Sequence, residues 1–265
     1  MIFIGIDLAW SSRNYSGGAV IRDNHLLAYT GTLGDDRALI AFITAHLDEE
    51  AGAVVAVDAP LRVPNSTGAR LCDRLLSADW RAYDAGALPA NRRLLTDRGR
   101  NEQVATTNGP IRGEALVAQL GERFGFVETA PLPQRGPARY ICEIFPHPAH
   151  VSLFHLEKTL KYKAKPGRTP AMRAAEFTRY QQLLATLAEA TPSLLGTDSL
   201  LAQDVSALRG QALKAYEDTL DAVTCAYTGY YLWYHGPAKT CVYGSVAEGH
   251  ILTPPLPTAH RLHRG

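Results

Sequence analysis

Three apolar segments of strand length each carry one carboxylate where burial disfavours charge. They read Ile2-Phe3-Ile4-Gly5-Ile6-Asp7-Leu8, Val54-Val55-Ala56-Val57-Asp58-Ala59 and Tyr140-Ile141-Cys142-Glu143-Ile144-Phe145. A fourth acid, Asp221, sits between Leu220 and Ala222 in a long segment of helical character. A buried carboxylate is costly unless it is paired or holds a metal ion. Four such acids invite one explanation, a cation-binding cluster where strand ends meet.

The order of elements narrows the fold. Residues 2–9 read as a buried strand, followed by a turn signal at Asn14-Tyr15-Ser16-Gly17-Gly18 and a second strand from Ala19-Val20-Ile21. Asp23-Asn24 turns the chain into a third strand over about 26–32. Asp35 can cap a helix over about 36–50, whose Leu39, Phe42, Ile43 and Leu47 share a face. Residues 53–59 then form a strand parallel to the first, because a helix separates it from the meander. Beyond Pro60 the spacing predicts helices near 67–78, 112–124, 149–156, 170–190, 198–208 and 211–234. Between them lie a Gly-, Pro- and Arg-rich stretch to about 111, a loop over 127–138 and a strand over 139–146. A hairpin closes the pattern over 240–253. The expectation is a single α/β domain over 1–265, with a five-stranded mixed sheet, helices on both faces and insertions at about 61–135 and 157–209.

Composition excludes several classes. Hydrophobic residues make up 46% and charged residues 20%, which suits a globular protein rather than a disordered one. A formal charge of +1 carries no global field for nucleic acid. No leader-like opening and no long apolar run occurs, so a cytoplasmic protein without membrane contact is expected. The four cysteines lack CxxC spacing, which fits reduced thiols rather than zinc.

The β-β-β-α-β opening, with an acid on strand one and another on strand four, resembles the ribonuclease H-like fold. The whole chain resembles the domain of unknown function 429 family, described as predicted nucleases of that fold. The matching pieces are Gly5-Ile6-Asp7-Leu8-Ala9-Trp10, Val57-Asp58-Ala59-Pro60-Leu61, Arg70-Leu71-Cys72-Asp73 and Glu143-Ile144-Phe145-Pro146-His147-Pro148. Lys161-Tyr162-Lys163, Leu220-Asp221-Ala222 and Glu248-Gly249-His250-Ile251 continue the ordered set. The resemblance implies two-metal phosphodiester hydrolysis with Mg²⁺ or Mn²⁺. Asp7 would bridge both ions, with Asp58 and Glu143 on one side and Asp221 on the other. RuvC-type resolvases of this fold place a pair of acids on the last helix spaced like Asp218 and Asp221, so Asp218 is a further candidate. The Glu on a fifth strand departs from that pattern.

Other residues have weaker claims. His147 could contact phosphate or relay a proton, or simply be bonded in a Pro-rich turn. Arg70 could reach a phosphate or pair with Asp73, three residues on. Lys158, Lys161, Lys163, Lys165, Arg168 and Arg173 fall in a stretch without acids, and Arg92, Arg93, Arg98 and Arg100 form a second basic group. Such runs are usually solvated, yet Lys161 and Lys163 could track a phosphate backbone. Trp10 could stack on a base or pack in the core. Two other functions compete with a nuclease acting on nucleic acid. One is an actin-like nucleotide-dependent phosphotransferase, which needs a Gly-rich phosphate hairpin; no P-loop pattern occurs. The other is a non-catalytic protein that binds nucleic acid or another protein.

Overall fold

The computed structural model describes residues 1–11, 13–99 and 111–257. A six-stranded mixed sheet has the order β3-β2-β1-β4-β6-β5, formed by β1 (Ile2–Asp7), β2 (Ser16–Arg22), β3 (His25–Leu33), β4 (Ala53–Asp58), β5 (Val127–Glu128) and β6 (Arg139–Glu143). β1 is central, antiparallel to β2 and parallel to β4, as its apolar run led one to expect. Asp23 and Asn24 both take positive φ, 49° and 59°, the geometry that a two-residue hairpin turn demands. The expected count of five strands is corrected to six. β5 has only two residues, too few to carry a period, and it adds to β6 within the stretch read as a loop.

Eight helices accompany the sheet among the described residues: α1 (Asp36–Thr44), α2 (Leu71–Trp80), α3 (Arg92–Gly99), α4 (Arg112–Phe124), α5 (Pro146–Leu153), α6 (Pro170–Ala185), α7 (Asp198–Leu201) and α8 (Gly210–His235). Asp35 caps α1 by accepting from the Ala38 backbone N–H at 2.8 Å. The helix stops at Thr44, short of the expected 50, and gives way to turns in which the His46 and Leu47 N–H groups donate to the Ile43 and Thr44 carbonyls. Arg22 donates to the His46 carbonyl, and Arg139 to those of Asp48 and Glu49. These bonds satisfy carbonyls of the irregular segment beyond the helix. α3 falls in the Gly-, Pro- and Arg-rich stretch where no helix was expected; Arg100 and the Arg98 side chain lie outside the described residues.

Both faces of the sheet are covered, which is why its parallel strands read apolar throughout. Ile2, Ile4, Ile6, Val55 and Val57 pack with Leu39, Ile43, Leu116 and Leu120 of α1 and α4. Phe3, Val54, Ala56 and Cys142 pack on the other face with Ala222, Val223 and Ala226 of α8, backed by Phe177 and Tyr180 of α6. α8 crosses β3, β2, β1 and β4 at very close range. A Cβ on Gly31, Gly17 or Gly5 would strike the backbone of Ala215, Asp218 or Ala222 respectively, so only glycine permits this approach. Gly17 and Gly18 are therefore strand residues of β2, not part of the preceding turn as their composition suggested.

A separate hairpin, β7 (Cys241–Ser245) with β8 (Gly249–Thr253), lies against α2, where Trp80 donates to the Tyr243 hydroxyl at 2.8 Å. Ile144 and Leu252 bridge it to the end of β6. No helix among the described residues is long and apolar enough to cross a membrane.

Candidate functional site

Parallel pairing sets Asp7 beside Asp58 at the C-terminal ends of β1 and β4. Side chains alternate along a strand, so both follow Phe3, Gly5, Val54 and Ala56 onto the α8 face. The glycine-lined crossing then brings α8 down beside them, delivering Asp218 and Asp221. The α8 pair thus meets the strand pair, as the small residues around Asp221 led one to expect.

Asp221 is fully buried and held on several sides. The Tyr162 hydroxyl donates to its Oδ1 at 2.5 Å, and the Lys163 ammonium lies 2.7 Å from Oδ2. Tyr180 links this centre outward, its hydroxyl 2.5 Å from Thr224 Oγ1 and 2.7 Å from Nε2 of the buried His150. Asp218 is buried, paired with Lys214 at 2.5 Å and within hydrogen-bonding reach of Asp7. Lys214 also contacts Glu217 at 2.8 Å.

The charge balance is unequal, with four carboxylates against the ammonium groups of Lys163 and Lys214. Burial pushes the Asp7 carboxyl well above its ordinary range; Lys163 offsets part of this, while Asp221, Asp58 and Asp218 add to it. Asp58 is pushed up to about 7 by burial, with Lys163 opposing and Asp221 reinforcing. Burial acts the same way on Asp221, but Lys163 and the Tyr162 hydrogen bond outweigh it and hold that carboxylate low. Lys163 remains a cation because Asp221, Asp7 and Asp58 overcome the effect of its burial.

Such an all-oxygen donor set with surplus negative charge suits a hard divalent cation. Among the described residues no three His, Cys, Asp or Glu side chains are drawn together as a formed metal site. Lys163 already pairs with Asp221 and Lys214 with Asp218, which leaves Asp7 and Asp58 as the acids without an ion pair of their own among the described residues. Asp7 and Asp218 face a cavity of about 820 Å³ lined also by Trp10, Arg13, Tyr15 and Lys214. Trp10 lines this cavity and packs partly against the core.

Glu143 faces away from the α8 acids, although its charge still reaches Asp58 and raises that carboxyl. Its register partner on β4 is Val57 rather than Asp58, which turns it to the α4 face. Arg70 binds both its carboxylate oxygens, at 2.8 and 2.6 Å, and the Leu61 backbone N–H donates to it at 2.9 Å. The same guanidinium binds Asp73 at 2.8 Å. Arg70 is thus buried and engaged by two carboxylates, and is not presented to a substrate phosphate. His250 Nε2 accepts from the Glu143 backbone N–H at 3.2 Å, and its ring lies 3.5 Å from Glu128. Arg70, Asp73, Glu143 and His250, drawn from three of the motifs, therefore form one buried polar clamp joining α2, β6 and β8.

The remaining candidates stand at a second cavity. His147 and Lys161 line it with Lys163, whose ammonium reaches from there to Asp221. Of the residues that complete the acidic centre, Lys214 was not among the candidates, although its four-residue spacing to Asp218 is a signal that could have marked it. Tyr180 and His150 had no signal, because their contacts to α8 come from distant segments.

No curated protein and no solved structure matches this chain. A family model described as "Protein of unknown function (DUF429)" matches residues 5–247, and the chain belongs to that family.

Proposed function

We propose that Asp7, Asp58 and Asp218, with Asp221 behind them, hold Mg²⁺ or Mn²⁺, and that the protein hydrolyses phosphodiester bonds of nucleic acid on a ribonuclease H-like framework. The observation that carries this is the meeting of four aspartates from β1, β4 and α8 with too few cations to neutralise them. The order β3-β2-β1-β4, with acids ending β1 and β4, supports the fold assignment. Ions held by these aspartates would supply activation of water and stabilisation of the leaving oxygen. The chain's own residues do the rest. Tyr162 and Lys163 fix Asp221, Lys214 fixes Asp218, and Trp10 and Tyr15 offer aromatic surface for a base beside Asp7. Against the phosphotransferase alternative, Gly17 is packed beneath Asp218 and Gly18 against Phe42, so neither glycine is open to a phosphate.

The test is a panel of labelled DNA, RNA, hybrid and branched substrates with Mg²⁺, Mn²⁺ or EDTA. Cleavage should require metal and collapse in Asp7→Asn while folding survives. Cleavage that persists in EDTA, or equally in Asp7→Asn, would refute the mechanism. Inactivity across the panel would favour a binding protein.

A further inference from the structure

The second cavity, of about 440 Å³, lies on the far side of Lys163 from the acidic centre. Its lining carries five cationic side chains, Arg81, Lys161, Lys163, Lys165 and Arg168, against one carboxylate, Asp84. Lys163 is committed to Asp221, and Lys161 lies at a loose 3.7 Å from Asp84. Among the described residues Arg81, Lys165 and Arg168 form no ion pair. Arg168 is nonetheless placed, donating to the Lys163 carbonyl at 3.0 Å. His147 also lines the cavity, and its buried Nε2 has no hydrogen-bond partner among the described residues. Converging cations around an unpartnered buried nitrogen are poorly explained by solvation of a surface run. They match an anion with several acceptor oxygens, to which arginine offers a planar fork and lysine a point charge.

We propose that this cavity is a phosphate subsite, taking a phosphoryl group one position from the bond cleaved in the acidic centre. The inference rests on the nuclease reading for its substrate and narrows that substrate. The protein would act on chains carrying a further phosphate on the Lys163 side, rather than on an isolated small phosphodiester. Lys163 would link the two sites, with its ammonium on Asp221 and its stem in the cavity wall. The aromatic cavity beside Trp10 and the cationic one beside Lys165 would then receive opposite sides of one strand.

The experiment measures binding to the full chain in EDTA, so turnover plays no part. The probes are inorganic phosphate and dinucleotides with or without a terminal phosphate, at the 5′ or the 3′ end. Inorganic phosphate should bind, and one phosphorylated dinucleotide should bind more tightly than its unphosphorylated parent. Both effects should weaken by about tenfold in Lys165→Ala and in Arg168→Ala, as for loss of one charge-assisted contact. They should persist in Asp7→Asn, and melting curves confirm that each variant is folded. Equal binding of all dinucleotides, or unchanged phosphate affinity in Lys165→Ala/Arg168→Ala, overturns the subsite. Phosphate binding with no cleavage in the panel would sink the nuclease reading alone; cleavage without phosphate selectivity would sink the subsite alone.

Discussion

Replacing Arg70 by methionine separates a structural clamp from a catalytic ligand set. Arg70 is 3% exposed and Glu143 likewise 3%, so Arg70→Met leaves Glu143 and Asp73 buried without their shared cation. Glu143 would keep only the Leu61 N–H among its side-chain partners, and Asp73 the backbone N–H groups of Arg70 and Ala90 with the weak Cys72 thiol donor. Breaking a buried pair from one side costs about 3–5 kcal/mol. For a chain of this size that lowers the melting temperature by roughly 6–20 °C. The pH dependence has a definite sign. Burial already raises Glu143 and Arg70 opposes it; without Arg70 the carboxyl rises further. A carboxyl raised in the native state binds more protons there than when unfolded, so the deficit should shrink as pH falls from neutrality toward about 4. Adding Glu143→Gln to Arg70→Met should recover part of the loss by removing one stranded charge. Urea denaturation in EDTA, at several pH values, reads all three effects. A cost below about 1 kcal/mol, or no recovery in the double variant, would refute the clamp.

Gly5→Ala places a methyl group against the Ala222 carbonyl and the Ala226 amide, so α8 must lift. The expected loss is about 1–3 kcal/mol or more, with weaker Mn²⁺ binding as Asp218 and Asp221 move; an unperturbed melt and titration would contradict the close crossing. Asp58→Asn removes a carboxyl raised to about 7, whose ionisation destabilises the native state above the unfolded value near 4. Metal-free Asp58→Asn should therefore be more stable than wild type by up to about 4 kcal/mol at pH 8, an advantage that fades as pH falls through 7 toward 4; a constant difference across that range would count against the crowding of charge. Burial lowers His150 and His250 to about 4, so both stay neutral at pH 5 and contribute stability that is lost as pH falls from about 6.5 to 4. NMR titration of their ring protons checks this, and a midpoint near 6.5 for either would exclude its buried, neutral state.

Much of the sheet was legible because its signals are local. Asp23-Asn24 can hold two positive φ values, and the apolar runs at 2–7 and 53–58 demand cover on both faces. The meeting of Asp7 with Asp58 and α8 also followed from position, since both acids end apolar strands and small residues flank Asp221. Glu143 exposes the limit of that logic. It ends an apolar strand in the same way, but whether it shares a face with Asp58 depends on register, and β6 pairs one residue out of phase with that requirement. Its cation, Arg70, lies 73 residues away, and no periodicity links them. The chain beyond α1 is likewise held from afar, by Arg139 of another strand.

The most direct measurement is anomalous diffraction from crystals soaked in Mn²⁺. The account predicts manganese peaks among Asp7, Asp58, Asp218 and Asp221, with Glu143 still bonded to Arg70 and no peak beside it. An empty aspartate cluster at saturating Mn²⁺, or manganese bound by Glu143, would contradict it.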